Sequence, residues 1–176
     1  MPVCPALPAR LACVCLLAST LTVTAAQAQE FTIDLDIPTL QVAEYHRPYI
    51  ALWIARPDNS VAANLAVWYD TKLADMEGTK WLKDMRQWWR RTGRTLAMPA
   101  DGISGATRPQ GQHSVDFSDK VSSLPAGDYN LFVEAVREVG GREMLEIPFS
   151  WPPKDRTSLT VQGEHELGEI GLTLAP

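Results

Sequence analysis

The chain has 176 residues, 45% of them hydrophobic and 21% charged, with 16 Lys and Arg against 21 Asp and Glu and a formal net charge of −5. An acidic balance of this kind argues against nucleic acid or an anionic membrane surface as a partner. Cys4, Cys13 and Cys15 all fall within the first 28 residues, so beyond them a disulfide, a thiolate metal site and a cysteine nucleophile are excluded.

Residues 1–28 read as a secretory signal peptide: Arg10 supplies a positive start, Leu11 to Val23 an apolar stretch, and Ala26-Gln27-Ala28 a cleavage site. Ser19, Thr20, Thr22 and Thr24 interrupt the run too often for a membrane anchor. Arg10 also occupies a position where a lipid-attachment motif requires an aliphatic residue. Cleavage removes Arg10 alone among charged residues, leaving 15 basic against 21 acidic and a net charge of −6. Residues 29–176 amount to one domain, long enough to bury roughly two-thirds of its unfolded surface. Export without disulfides or a second apolar span predicts a bacterial periplasmic protein. All six tryptophans lie in this part.

Phe31 to Ile37 alternates apolar and polar residues without a fault, the pattern of a half-buried strand, and Pro38 ends it. Tyr49 to Ala55 is a continuous apolar run between Pro48 and Arg56-Pro57-Asp58-Asn59, which predicts a central strand covered on both faces. Val61 to Tyr69 pairs with it as a hairpin. The period then changes: Trp81, Leu82, Met85, Trp88 and Trp89 recur at helical spacing between Gly78 and Arg91, with Thr79 as N-cap and Gly93 as stop. This predicts an amphipathic helix crossing from one sheet to another.

Thr95 to Gln112 has no periodicity, and an irregular stretch of that length in a small domain is usually functional. Strand patterns resume at His113 to Phe117 and Asn130 to Glu138, and Gly140-Gly141 turns the chain into Glu143 to Trp151. Leu159 to Val161 and Leu167 to Leu174 read as edge strands. The segment entering Tyr129 resembles the corner of immunoglobulin-like domains in which a tyrosine hydroxyl bonds back to nearby backbone. The predicted fold is mainly β: a single immunoglobulin-like β-sandwich with one inserted helix and a long functional loop.

That loop contains Asp101-Gly102-Ile103-Ser104-Gly105-Ala106-Thr107. It resembles the acceptor motif at which a flavin transferase attaches FMN covalently to threonine: Asp, two free positions, Ser or Thr, then Gly-Ala-Thr. The resemblance implies that Thr107 bears the flavin as a phosphoester and that Asp101, Ser104, Gly105 and Ala106 are recognition elements. It further implies an electron carrier working with a membrane redox protein. A free hydroxyl is a weak nucleophile, and nothing in the chain activates one, so the resemblance implies a separate, metal-dependent transferase. Small residues at 105 and 106 suit close approach of another backbone, Gly102 and Gly105 permit unusual dihedrals, and Asp101 and Ser104 are suited to bonding nearby N–H groups. The loop is expected to protrude. Arg108, beside the threonine, is the candidate to offset phosphate or reduced-flavin charge, with Arg86, Arg90, Arg91 and Arg94 as a further cluster. A plain polar surface loop is the competing reading.

Across residues 29–176 the layout is similar to a family of predicted periplasmic proteins of unassigned function. The similarity lies in Arg47-Pro48-Tyr49 leading into Trp53, the Trp88 helix, residues 105–109 and Glu134 to Trp151. Arg108-Pro109 departs from the flavin-carrying subunits of sodium-pumping quinone reductases, whose fold is therefore not carried over. Gly102 to Ala106 nearly matches a hydrolase nucleophile elbow at Ser104, but Pro99 and Pro109 deny it the required strand and helix. His165 with Glu164, Glu166 and Glu169 reads as a solvated acidic edge rather than a metal site, and Trp81, Trp88 and Trp89 read as core more than as a flavin stack. The other class of function is an immunoglobulin-like binding or assembly module without cofactor, using Trp53, Trp68 or the helix as contact surface.

Overall fold

The computed structural model describes Met1 and residues 29–176; the predicted signal peptide, apart from Met1, lies outside the described residues. β1 (Glu30–Ile37) keeps its predicted alternation, with Phe31, Ile33, Leu35 and Ile37 buried. It pairs antiparallel with β5 (Gly111–Asp116) and β9 (Glu169–Ala175), and β8 (Thr157–Gln162) completes a four-stranded sheet in the order β5-β1-β9-β8. β9 is thus interior rather than an edge strand, since β1 and β8 cover both its sides.

The second sheet has five strands in the order β4-β3-β2-β6-β7, built from β2 (Tyr49–Ala55), β3 (Val61–Tyr69), β4 (Ser104–Ala106), β6 (Gly127–Val136) and β7 (Arg142–Trp151). Ile50, Leu52 and Ile54 of β2 meet β1 and β9 residues in the core between the sheets. Ala51, Trp53 and Ala55 face the other way, into a second core closed by Leu82, Met85 and Trp88. Covering on both faces is why β2 reads as unbroken apolar sequence. The Tyr129 hydroxyl donates to the Pro125 carbonyl at 2.8 Å, the back-bond predicted from sequence.

The predicted helix over 78–91 divides in two: a 3-10 segment (Ala74–Asp84) and a short α1 (Arg86–Arg91), separated by Met85 at φ −74, ψ 74. Thr79 lies inside the first piece, donating to the Met76 carbonyl at 2.8 Å, and caps nothing. α1 opens without a Ser, Thr, Asp or Asn cap. Its orphan N–H groups are taken by the Glu134 carboxylate of β6, which accepts from Gln87 at 3.1 Å and Trp88 at 2.8 Å and also receives Arg142 Nε at 2.6 Å. Trp88 Nε1 donates to Asn64 of β3 at 3.0 Å. These anchors hold the helical segment on the outer face of the five-stranded sheet, so it does not cross between sheets. The chain returns to that sheet's edge as β4.

Candidate functional site

β4 runs parallel to β3 with Val67 opposite Ser104, Trp68 opposite Gly105 and Tyr69 opposite Ala106. The ladder extends by Val67 N–H to Ile103 at 2.7 Å and Thr107 N–H to Tyr69 at 3.1 Å. The second half of the Asp101–Thr107 segment is therefore a strand clamped on a sheet edge, not part of the protruding loop predicted. Three residues are too few to show a period, and their partner lies 37 positions earlier (Val67 to Ser104), which is why sequence pattern missed it.

The turn before β4 is closed by Ser104, whose Oγ accepts the Ala100 N–H at 2.9 Å and whose N–H donates to the Ala100 carbonyl at 3.0 Å. Gly102 has φ +75, as expected of a turn glycine, and its carbonyl accepts from Lys120 of α2 (Ser118–Val121). Asp101 is exposed. Gly105 needs no unusual dihedral; it is small because a Cβ there lies 3.1 Å from Cδ1 of Trp68. Arg108 stacks its guanidinium 4.2 Å from the centre of that same ring, an attraction of cation to π face.

Thr107 is half-buried and sits at the margin of a 650 Å³ cavity at the end of the five-stranded sheet. Tyr45, Tyr49 and Trp81 give it aromatic walls, and Leu73, Val136 and Val139 aliphatic ones. Leu73, Trp81 and Val139 are among the exposed large apolar side chains of the described residues, Trp81 at 50%. Most of the rest of the lining is polar or charged, with Asp70, Asp84 and Glu138 facing the same space, so the concavity joins apolar walls to convergent polar groups, as small-molecule sites do.

The cations that reach the cavity are Arg47, Lys72 and Arg137, with His46. None belongs to the predicted cluster. Arg91 instead donates to the Asn59 carbonyl at 3.0 Å and lies 5.4 Å from the Phe132 ring, and Arg86, Arg90, Arg94 and Arg108 do not line the cavity. Arg137, only 7% exposed, is gripped by Glu166 through Nε at 2.8 Å and Nη2 at 3.1 Å. Gly140 and Gly141 make room for the pair: a Cβ at the first lies 2.5 Å from Arg137 Cζ, and at the second 2.9 Å from Glu166 Oε1. Glu166 is aimed in turn by Glu143, whose carboxylate accepts the N–H groups of Glu164, His165, Glu166 and Leu167 at 2.7–3.1 Å. Burial raises the Glu143 pKa, but those four donors outweigh it and leave the carboxyl below its ordinary value.

Two buried polar atoms of this region have no hydrogen-bond partner, Arg137 Nη1 and the Tyr45 hydroxyl. Gln110 approaches Tyr45 without hydrogen-bond geometry, and burial raises the tyrosine pKa, so the group is a protonated donor. The sequence carried one sign of Arg137: it continues the alternating face of Leu131, Val133 and Ala135, where an arginine must be either paired or aimed at something. Ser104 lies within β4 rather than on a strand-to-helix turn. The His165 segment serves as backbone donor to Glu143, and among the described residues no cluster of three or more His, Cys, Asp or Glu could hold a metal. Trp53 and Trp68 are 0% and 4% exposed and are corrected from contact surface to core.

Fold and site together define a mainly β, two-sheet protein with a cavity at one sheet end whose aromatic walls stand beside both cations (Arg47, Lys72, Arg137) and carboxylates (Asp70, Asp84, Glu138), and no helix of the described residues is long and apolar enough to cross a membrane. The chain belongs to the family described as predicted periplasmic protein (DUF2271), whose model matches residues 30–169. No curated protein and no solved structure matches it.

Proposed function

We propose that this protein is a periplasmic electron-transfer module, an immunoglobulin-like β-sandwich over residues 29–176, that carries FMN on Thr107. The observation that supports it most is that the threonine of the acceptor motif borders the cavity of 650 Å³. The residues there suit the group. Tyr49 and Trp81 offer flat apolar walls, and Arg47, Lys72 and Arg137 bring positive charge to a lining that Asp70, Asp84 and Glu138 share. Lys72, three residues past the end of β3, lines the cavity beside Asp70 and is a candidate to offset phosphate charge. The back-bond of Tyr129 and the two facing sheets support the immunoglobulin-like reading.

Attachment needs a separate, metal-dependent transferase with FAD as donor. Thr107 Oγ1 forms a bond to the phosphorus of the FMN half, the bond from that phosphorus to the AMP half breaks, and AMP leaves carrying the hydroxyl proton. When bound, FMN supplies one- and two-electron transfer. The chain itself tethers the group, which matters outside the cytoplasm, where a dissociable flavin diffuses away. The exposed rim of Leu73, Trp81 and Val139 supports docking of a membrane redox protein there.

The test is intact mass after co-expression with a flavin transferase. Wild type should gain one FMN less one water, Thr107→Ser should keep the gain, and Thr107→Ala should lose it. An unmodified wild type would remove this reading. If that protein retained a specific periplasmic partner through the Trp81 rim, the cofactor-free binding module would take its place.

A further inference from the structure

We infer that Lys120 of α2 is a positioning residue for flavin attachment: its ammonium bolts the turn that begins the acceptor segment to the edge of β3, so that Thr107 is presented in one fixed setting. The inference rests on the attachment to Thr107 proposed above. α2 is a rigid mount although only four residues long. Phe117, just before it, and Val121, at its end, are buried in the core between the sheets. Phe117 N–H donates to the Phe31 carbonyl at 2.8 Å, and Ser118 Oγ accepts the Phe31 N–H at 2.9 Å. From that mount the partly buried Lys120 side chain reaches two carbonyls, that of Leu65 in β3 and that of Gly102 in the turn. Neither acceptor is a carboxylate, and burial lowers the lysine pKa.

The placing of the two carbonyls explains why a lysine is needed. Backbone groups alternate between the two edges of a strand, so Leu65 shares its edge with Val67 and Tyr69, which hold Ile103 and Thr107. One rung before that ladder starts, the Leu65 and Gly102 carbonyls converge on the same Nζ. Both are acceptors, and neither can bond the other. Lysine brings three N–H donors on one point charge and serves as the missing rung. The segment has few other ties. β4 is three residues long, and parallel pairs are slightly weaker per residue. The bonds between Ala100 and Ser104 close the turn on itself. Beyond its chain neighbours, no atom lies within 4 Å of where a Gly102 Cβ would stand. A charge-assisted bond to a turn so lightly held decides how much of the time the segment is seated. Asp101 and Ala106 are exposed while Ser104 and Gly105 are partly buried. The seated segment therefore offers a transferase Asp101, Ala106 and Thr107 at set separations.

The experiment incubates purified, unmodified wild type, Lys120→Met and Lys120→Gln with a flavin transferase and FAD, and takes initial rates from intact mass. Methionine keeps the apolar stem and no donor. Glutamine keeps donors without charge, and it decides the matter if the methionine protein does not fold. The KM for the acceptor protein should rise about tenfold in Lys120→Met, less in Lys120→Gln, with kcat unchanged, because a competent state populated one-tenth as often weakens apparent affinity by that factor. Amide exchange of Val67 and Thr107 should quicken about tenfold, while that of β1 keeps its wild-type rate. A merely structural lysine would leave KM unmoved wherever the protein is folded, so variants with wild-type KM overturn the inference. Faster modification overturns it too, since the transferase would then take the segment only after it leaves β3. Should wild type stay unmodified, the attachment reading fails and exchange decides for the bolt alone. Quickened exchange confined to the turn and β4 supports it, and unchanged exchange overturns it.

Discussion

Glu134→Ala tests the idea that a buried carboxylate, rather than local sequence, starts α1. Glu134 is fully buried, and its oxygens hold the Gln87 and Trp88 N–H groups along with Arg142 Nε. Alanine strands both backbone donors. Hydrogen bonds to a charged group contribute about 1.5–3 kcal/mol each, so two amount to about 3–6 kcal/mol. Arg142 is 31% exposed, so its share is largely screened and we add nothing for it. Water reaching the loosened helix end recovers part of the loss. The expected destabilisation is about 3–5 kcal/mol, the range for removing one member of a buried pair. At roughly 2–4 °C per kcal/mol for a domain of this size, the melting midpoint should drop by about 10 °C or more. Tryptophan fluorescence during urea unfolding is the natural assay, because Trp88 sits inside α1, buried and bonded to Asn64. Its emission should move to the red before global unfolding. Glu134→Gln retains one acceptor oxygen and should fall between. A Glu134→Ala protein melting within about 2 °C of wild type, with unshifted emission, would refute the capping argument.

Glu143 predicts an acid-sensitive corner. Its folded pKa lies below the ordinary 4.5, so the stability it contributes is complete above that pH and disappears as pH falls through the folded value. Urea midpoints of wild type and Glu143→Gln should therefore differ above pH 4.5 and converge below it; parallel curves would contradict the reasoning. At Gly78 a Cβ would come 1.9 Å from the Asp70 carbonyl oxygen. Gly78→Ala should cost about 1–3 kcal/mol in thermal melts, and because Asp70 and the nearby Trp81 line the cavity it should also slow flavin incorporation. A fully stable Gly78→Ala protein would show that the segment shifts freely.

Much of the strand content was readable because burial leaves a direct mark on strand sequence. The perfect alternation of Phe31 to Ile37 and the unbroken run of Tyr49 to Ala55 report one covered face and two covered faces, and the structure places both strands within a residue of prediction. The helical segment was legible in its apolar spacing but not in its break. Its continuity is decided by distant groups, namely Glu134 at the α1 end and Asp70 packed against Gly78. The position of Thr107 was legible as a motif, whereas its setting was not. Tyr45, Thr107, Arg137 and Glu166 come together only through strand pairings and turns that no local pattern encodes. The arginines that reach the cavity, Arg47 and Arg137, are far from Thr107 in sequence, whereas Arg108, its neighbour, packs on Trp68 instead.

β4 is the outermost strand of its sheet, so one flank of the Ser104–Ala106 backbone has no neighbouring strand. Open borders invite other chains to zip on, and proteins usually blunt them. Here Pro99 and Pro109 bracket the segment, and a proline cannot donate to a ladder. A visiting backbone is thus offered a berth a few residues long and no more, wide enough for a brief handshake beside Thr107 yet too short to seed stacking of one copy upon another.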